Sequence, residues 1–254
     1  MKTIYYLLII SVFTFSVSCG SKNRDLQSFK IASYNVRNAK GMDNLVDFDR
    51  TAKVINDMNA DAVAIQELDS ATQRSNGRVV FNELAKRTNM FASFNASIEF
   101  SGGKYGNGIL TKEKPIKVEA IALPGREEMR SLLVVEMQDY VLCCTHLSLT
   151  QEDRQASMKL IEEYTEKYTE KPVFLAGDLN ALPSSTEIVD LSENWIMLSD
   201  ATTPTFPSDV PTEIIDYILM KSNDKFEHIV KNATVVNEPM ASDHRPLWVK
   251  VEIN

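Results

Sequence analysis

The runs DAVAIQE (61–67) and RSLLVVEM (130–137) leave this chain few ways to fold. As strands they are apolar at odd and even positions alike, so both faces must be covered. Similar short runs recur along the chain: FKIASYN, MFASFNA, YGNGILTK, YVLCCTH, KPVFLAGD, IIDYILM, HIVKNATVV and PLWVKVEI. They alternate or are wholly apolar, as strands are. Three intervening stretches carry helical spacing. Residues 48–58 place Ala52, Val54, Ile55 and Met58 on one side, residues 79–87 place Val80, Phe81, Leu84 and Ala85, and residues 154–168 form a third amphipathic stretch. Two sheets packed face to face, with helices outside each, satisfy all of these demands. With 254 residues, 44% of them hydrophobic, the chain can bury such a core as one domain. It shows no sequence repeat.

The strands end in unusual residues. IASYN closes on Asn35, AVAIQE on Glu67, VLCCTH on His146 and VFLAGDLN on Asp178 and Asn180. Asp216 is embedded in IIDYI, and SDHRP sets Asp243 and His244 just before a strand. Taken singly, each has an ordinary reading: the asparagines as turn formers, Asp178 and Asp243 as caps, Glu67 as a solvated acid, Asp216 as a partner for an arginine. Strands that end or begin at one edge of a sandwich would instead gather the whole set at a single rim. Of the three histidines, His228 sits in an alternating segment and reads as a surface residue, whereas His146 and His244 both stand beside other members of the set.

Carboxylate and amide oxygens suit a hard cation, magnesium or manganese, and no Cys/His cluster has zinc spacing. Such a cation, two imidazoles and a free aspartate suit attack of water on a phosphate ester. Other reaction classes fit less well. The chain has no glycine-rich phosphate loop and no Gly-x-Ser-x-Gly elbow, and Gly102-Gly103 reads as a turn.

The first residues predict export. Lys2 precedes an apolar segment over 4–17, too short to span a membrane, and Ser-Val-Ser-Cys-Gly follows. Residues 1–18 read as a signal peptide, Cys19 as a lipidated first residue of a bacterial lipoprotein, and 19–28 as its tether, leaving 29–254 as the catalytic domain. The alternative is plain secretory cleavage near Ser18 into the periplasm or medium. Loss of Lys2 takes the formal charge from −8 to −9. Cys143 and Cys144 are adjacent in a strand and point to opposite faces, so they read as core thiols.

YNVRN, AIQEL, YGNGILTK, THLSL, AGDLNALPSS, IDYIL and SDHRP, in this order, resemble the endonuclease/exonuclease/phosphatase superfamily. That group includes pancreatic-type deoxyribonucleases, apurinic-site endonucleases, inositol polyphosphate 5-phosphatases and neutral sphingomyelinases. The resemblance runs from about Phe29 to Glu252. It implies an α/β fold, a four-layer sandwich of two mixed sheets packed face to face with outer helices, and a magnesium (or manganese) cofactor. Residue by residue, it implies that Glu67 ligates the metal with Asn35 and Asp243 close by, that Asp178 prepares the attacking water, and that Asn180 holds Asp178 or the phosphate. His244 would contact a phosphoryl oxygen while Asp216 accepts its other ring proton. His146 would protonate a leaving group. Asn107 and Arg130 are weaker candidates for substrate contacts, and Arg130 reads equally as a surface ion pair with Glu127 or Glu128. Many relatives carry a basic residue before the IDYI segment, where this chain has Glu213 and Ile214, and the connection from Asn180 to Asp216 is short for gripping a duplex. The expectation is a monomeric, membrane-anchored phosphodiesterase acting outside the cytoplasm on a small-molecule or lipid head-group ester. A secreted nuclease is the second reading, and a binding protein on the same fold without turnover is a third, from another class.

Overall fold

The computed structural model describes residues 26–254, so the expected signal peptide and Cys19 lie outside the described residues. Residues 27 and 28, placed by expectation in the tether over 19–28, belong to the first strand. Gln27 and Ser28 already pair with Ile253 and Glu252, because the first strand extends as far as its partner does.

The first half of the chain runs β1 (Gln27–Asn35), α1 (Phe48–Met58), β2 (Ala62–Ser70), α2 (Val80–Thr88), β3 (Phe91–Phe100), β4 (Gly103–Thr111), β5 (Lys117–Leu123) and β6 (Arg130–Glu136). The second runs β7 (Val141–His146), α3 (Gln151–Thr165), β8 (Val173–Asp178), α4 (Thr186–Leu191), β9 (Trp195–Met197), β10 (Asp216–Lys221), β11 (His228–Val235) and β12 (Leu247–Ile253). The strands form two six-stranded sheets, ordered β11-β12-β1-β2-β4-β3 and β5-β6-β7-β8-β10-β9. Replacing β1–β4 of the first order by the strands six places later, and β11 and β12 by the strands six places earlier, gives the second, so the fold repeats where the sequence does not. In each sheet the central pair, β1–β2 or β7–β8, is parallel and all other pairs are antiparallel. Parallel neighbours need a crossover, and α1 and α3 supply it.

Burial explains the double-faced runs. One cluster, including Ile31, Ala64, Leu133, Leu142, Phe174 and Val249, lies between the sheets. A second packs the outer face of the first sheet under α1 and α2, and a third packs the outer face of the second sheet under α3 and α4. Each fully buried aliphatic side chain stabilises the fold by about 1.5–3 kcal/mol relative to exposure. Cys144 joins the inter-sheet cluster and Cys143 the one beneath α3, as strand alternation requires. Both are free and buried, and burial pushes both thiols up, Cys144 to about 12.

Local signals set the helix ends. Asp47 caps α1 by accepting from Arg50 N at 2.9 Å, and Asn59 and Asn89 end α1 and α2 in the left-handed conformation that asparagine tolerates. The third helix starts three residues before its apolar periodicity suggests, at Gln151, with Glu152 and Asp153 in the first turn where the helix dipole favours acids. No helix among the described residues is long and apolar enough to cross a membrane.

Candidate active site

The two parallel pairs end at the same rim of the sandwich, and the repeat makes their ends equivalent. Asn35 closes β1 opposite Gln66, and His146 closes β7 opposite Asp178. Glu67, the next residue of β2, sits in a bulge where the β2–β4 register shifts between Ile65 and Leu68, and its φ is +60°. A bulge of this kind re-aims a side chain. Here it accompanies the turning of Glu67 into a cleft of about 580 Å³ lined also by His146, Asp178, Asn180, Asp243 and His244.

Asp178 is buried at the centre of this group. Asn35 Nδ2 donates to Asp178 Oδ2 and to Glu67 Oε1, each at 3.1 Å, and so bridges the two sheets. The Asn180 backbone N–H donates to Asp178 Oδ1 at 3.0 Å from a residue with φ +49°, while the Asn180 side chain donates to Leu147 O at 2.9 Å. The Nε2 atoms of His146 and His244 stand 3.5 and 3.6 Å from Asp178 Oδ2. The sheets thus divide the labour: Asn35 and Glu67 come from one, with Asp243 and His244 just ahead of its β12, and His146, Asp178 and Asp216 come from the other.

The two imidazoles differ in charge. Burial opposes protonation of His244, but Asp216, Asp178 and Asp243 outweigh it and raise the ring to about 10. Asp216 Oδ2 lies 2.9 Å from His244 Nδ1 and accepts a 2.6 Å hydrogen bond from Thr205 Oγ1. His244 is therefore an imidazolium with its Nε2–H directed into the cleft. Burial lowers His146 to about 4, with Arg130 and His244 adding to the effect against Asp178, so this ring is neutral.

Asp178, Asp216 and His244 offer ligand atoms within 4.8 Å of one another. The hydrogen bond from His244 to Asp216 instead orients the ring, which as an imidazolium has no lone pair to offer a cation. The metal test falls on the other sheet. Burial raises Glu67, and the nearby Asp243 and Asp178 raise it further, which is the condition of carboxylates crowded without enough positive charge. A hard cation bound among their oxygens would relieve that crowding. Asn35 presents its amide nitrogen to Glu67 and Asp178, while its oxygen accepts from Arg37 N at 3.2 Å.

The substrate candidates fare differently. Arg130 lines the cleft and is only 7% exposed, yet its guanidinium lies 3.0 Å from Glu128 and 3.5 Å from Glu127. Both readings of it meet in one place, with the arginine buried and its glutamates partly exposed. Asn107 is not among the residues lining the cleft. It is buried and donates to Ser131 O at 3.3 Å, tying β4 to β6 across the sandwich, because the β4 register turns it towards the opposing sheet. His228 lies on β11, half-buried and away from the cleft.

Several contributors carried no legible signal. Thr205 holds Asp216 from an irregular loop. Ser242 Oγ donates to Asn35 O at 2.7 Å and fastens the segment before β12 to the end of β1. Arg37, inside the YNVRN motif, stands 3.2 Å from Asp243 on three successive left-handed residues, Arg37, Asn38 and Ala39, at φ +46°, +57° and +59°. Tyr105 lines the cleft as a neutral phenol, its ionisation pushed far up by burial and by Glu67 and Glu128.

Solved structures share this fold. No curated protein sequence matches the chain. Among solved structures, an endonuclease/exonuclease/phosphatase from Beutenbergia cavernae superposes with a TM-score of 0.73 at 18% identity, over 89% of this chain and 72% of that one. A Bacteroides thetaiotaomicron mannosyl-6-phosphatase superposes with a TM-score of 0.70 at 16% identity, over 89% and 99%. D. rerio TDP2 complexed with a single-strand DNA product gives 0.67 at 19%, over 88% and 98%. These likenesses show a shared fold. The model of the endonuclease/exonuclease/phosphatase family matches residues 32–244, most of the chain, and the protein belongs to that family.

Proposed function

We propose that the protein is a divalent-metal-dependent phosphoester hydrolase that acts outside the cytoplasm, held to a bacterial membrane by a lipid on Cys19, on a phosphodiester of a small molecule or lipid head group. The observation that carries this reading is Asp178, a buried carboxylate set between Asn35, His146 and His244 and beside the Glu67–Asp243 acids.

Glu67 and Asp243 would hold magnesium or manganese, with Asn35 orienting Glu67 through its amide nitrogen, and the bound cation supplies Lewis-acid polarisation of a phosphoryl oxygen. The rest is the work of the chain. Asp178 is oriented by Asn35 and by the Asn180 N–H to accept a proton from an attacking water. The His244 imidazolium donates from Nε2 to an anionic phosphoryl oxygen, and Asp216, held by Thr205, keeps its charge and orientation. The neutral His146 can stabilise a departing oxygen as a hydrogen-bond donor through its one ring N–H, and its buried Nδ1 has no hydrogen-bond partner among the described residues.

The charge inventory favours a diester. Among the residues lining the cleft, the fixed cations are Arg130, already paired with two glutamates, and His244, shared between two aspartates. A singly charged diester asks less of such a site than a doubly charged monoester does. The mannosyl-6-phosphatase relative keeps a sugar monoester as the competing substrate class. A panel of bis(p-nitrophenyl) phosphate, phospholipids, inositol phosphates, sugar phosphates, nucleotides and plasmid, each with magnesium, manganese or chelator, tests the reading. We expect metal-dependent turnover concentrated on diesters. Absence of metal-dependent turnover on every ester would favour a binding role.

A further inference from the structure

Beneath the cleft lies a set of charged groups that the proposed chemistry does not use. Glu187 on α4 is fully buried and pairs with Arg154 Nε on α3. Arg154 Nη1 then donates to the carbonyls of Ser148, at 3.2 Å, and Leu149, at 2.8 Å, in the loop that follows His146. The same loop is held from its other side. Glu127 accepts from Leu149 N at 2.7 Å and Ser148 Oγ at 2.9 Å, and its carboxylate lies 3.5 Å from Arg130 on the cleft wall. Leu147 is fixed by Asp178 O, which accepts its N–H at 2.9 Å, and by the Asn180 side chain on its carbonyl.

We infer that the Arg154–Glu187 pair is a positioning unit: it fixes the loop over residues 147–150 and, through it, the placement of His146 and of the Asp178 side of the cleft. The inference rests on the hydrolytic reading of that cleft. Two observations favour it over a purely stabilising role. A buried ion pair is a poor source of stability, because apolar residues of similar volume serve as well or better. And the repeat supplies a comparison: the equivalent helices α1 and α2 are joined by Arg87 and Asp49, where Asp49 is 85% exposed. Burial of the second pair coincides with a guanidinium reaching two carbonyls of a cleft-lining loop. Leu149 itself is 68% exposed, so packing alone does not hold it.

The test uses the full chain with Arg154→Met, Glu187→Met, the double variant, and Arg154→Lys, which keeps the charge but lacks the planar fork that serves two carbonyls and a carboxylate. Four quantities are read: Tm, the kcat–KM pair on bis(p-nitrophenyl) phosphate, the metal titration midpoint, and amide exchange over 147–150. Each single substitution should lower both Tm and kcat. The double variant should recover the Tm of the wild type, while kcat stays down by about tenfold or more, since misplacement of about 1 Å is enough for that. KM and the metal midpoint should stay within about twofold of wild type, because Glu67, Asn35 and Asp243 belong to the other sheet. Exchange at 147–150 should be faster in the double and Lys variants. Recovery of kcat along with Tm in the double variant would overturn the inference and leave the pair merely structural. If only the Lys variant folds, a normal kcat with normal exchange overturns it equally. If the wild type hydrolyses nothing, exchange decides alone: unchanged protection at 147–150 overturns the positioning role, whereas lost protection upholds it and the hydrolytic reading fails by itself.

Discussion

Asp178 is the residue on which the two sheets converge, and its partners separate two kinds of failure. Asp178→Asn keeps the shape, the Asn180 N–H contact and the metal carboxylates, and removes the base. Turnover should fall by roughly a hundredfold or more while the metal midpoint holds. Glu67→Gln should do the reverse in kind, moving the metal midpoint to higher concentration, because a hard cation loses a charged oxygen. Measuring both variants by calorimetric metal titration and by kinetics checks the assignment, and equal midpoints in the two would count against it. The histidines allow a pH prediction. His146 is neutral in the fold, lowered to about 4, and ordinary in the unfolded chain near 6.5. A group depressed in this way adds stability that is present above pH 6.5 and is lost as pH falls through about 4. The full effect is about 3 kcal/mol. Urea unfolding with chelator present should show wild type losing stability between pH 7 and pH 4 more steeply than His146→Gln, and parallel curves would contradict the buried neutral ring.

At the scale of elements, the site depends on where strands stop and on irregularities that spacing cannot reveal. Gly177, one residue before Asp178, shows how tight the β7–β8 pair is: a Cβ there would lie 2.0 Å from Thr145 O, with only backbone to yield. Gly177→Ala should cost about 3 kcal/mol and lower Tm by roughly 6–12 °C. A wild-type melting curve would mean that the strands can separate without loss. The apolar runs made most of this architecture legible, since strands such as β2 and β6 demand cover on both faces. What escaped were short or half-exposed pieces. The strand β5 is an edge whose exposed residues interrupt the pattern, β9 has three residues, and α4 has six, too few for a helical period to register. The site residues were legible because they punctuate strand ends. Their aim was not, since the bulge that turns Glu67 and the left-handed turn that presents Arg37 are backbone conformations without a side-chain signature. Asn107, named from the YGNGIL motif as a weaker candidate for a substrate contact, makes an inter-sheet hydrogen bond.

At the scale of the whole molecule, the cleft lies at one end of the first described strand. The first strand starts at Gln27 and reaches the cleft at Asn35, eight residues on, which at ~3.3 Å per residue is about 26 Å. The charge around that cleft bears on its substrate. The chain carries −8 overall, the cleft wall includes Glu128 and Glu213, and the cations that line it are paired. A protein that grips duplex DNA neutralises several phosphates with lysine and arginine, and its affinity falls steeply with salt. Here few unpaired cations stand near the scissile position to do so. Hydrolysis of a small diester should exceed plasmid nicking at equal enzyme concentration, and its rate should change by less than about twofold between low and physiological salt. The measurement is a paired salt titration of both substrates with magnesium fixed. Plasmid nicking that outpaces the diester at low salt and collapses at physiological salt would reveal a cationic groove and return the protein to the nucleases.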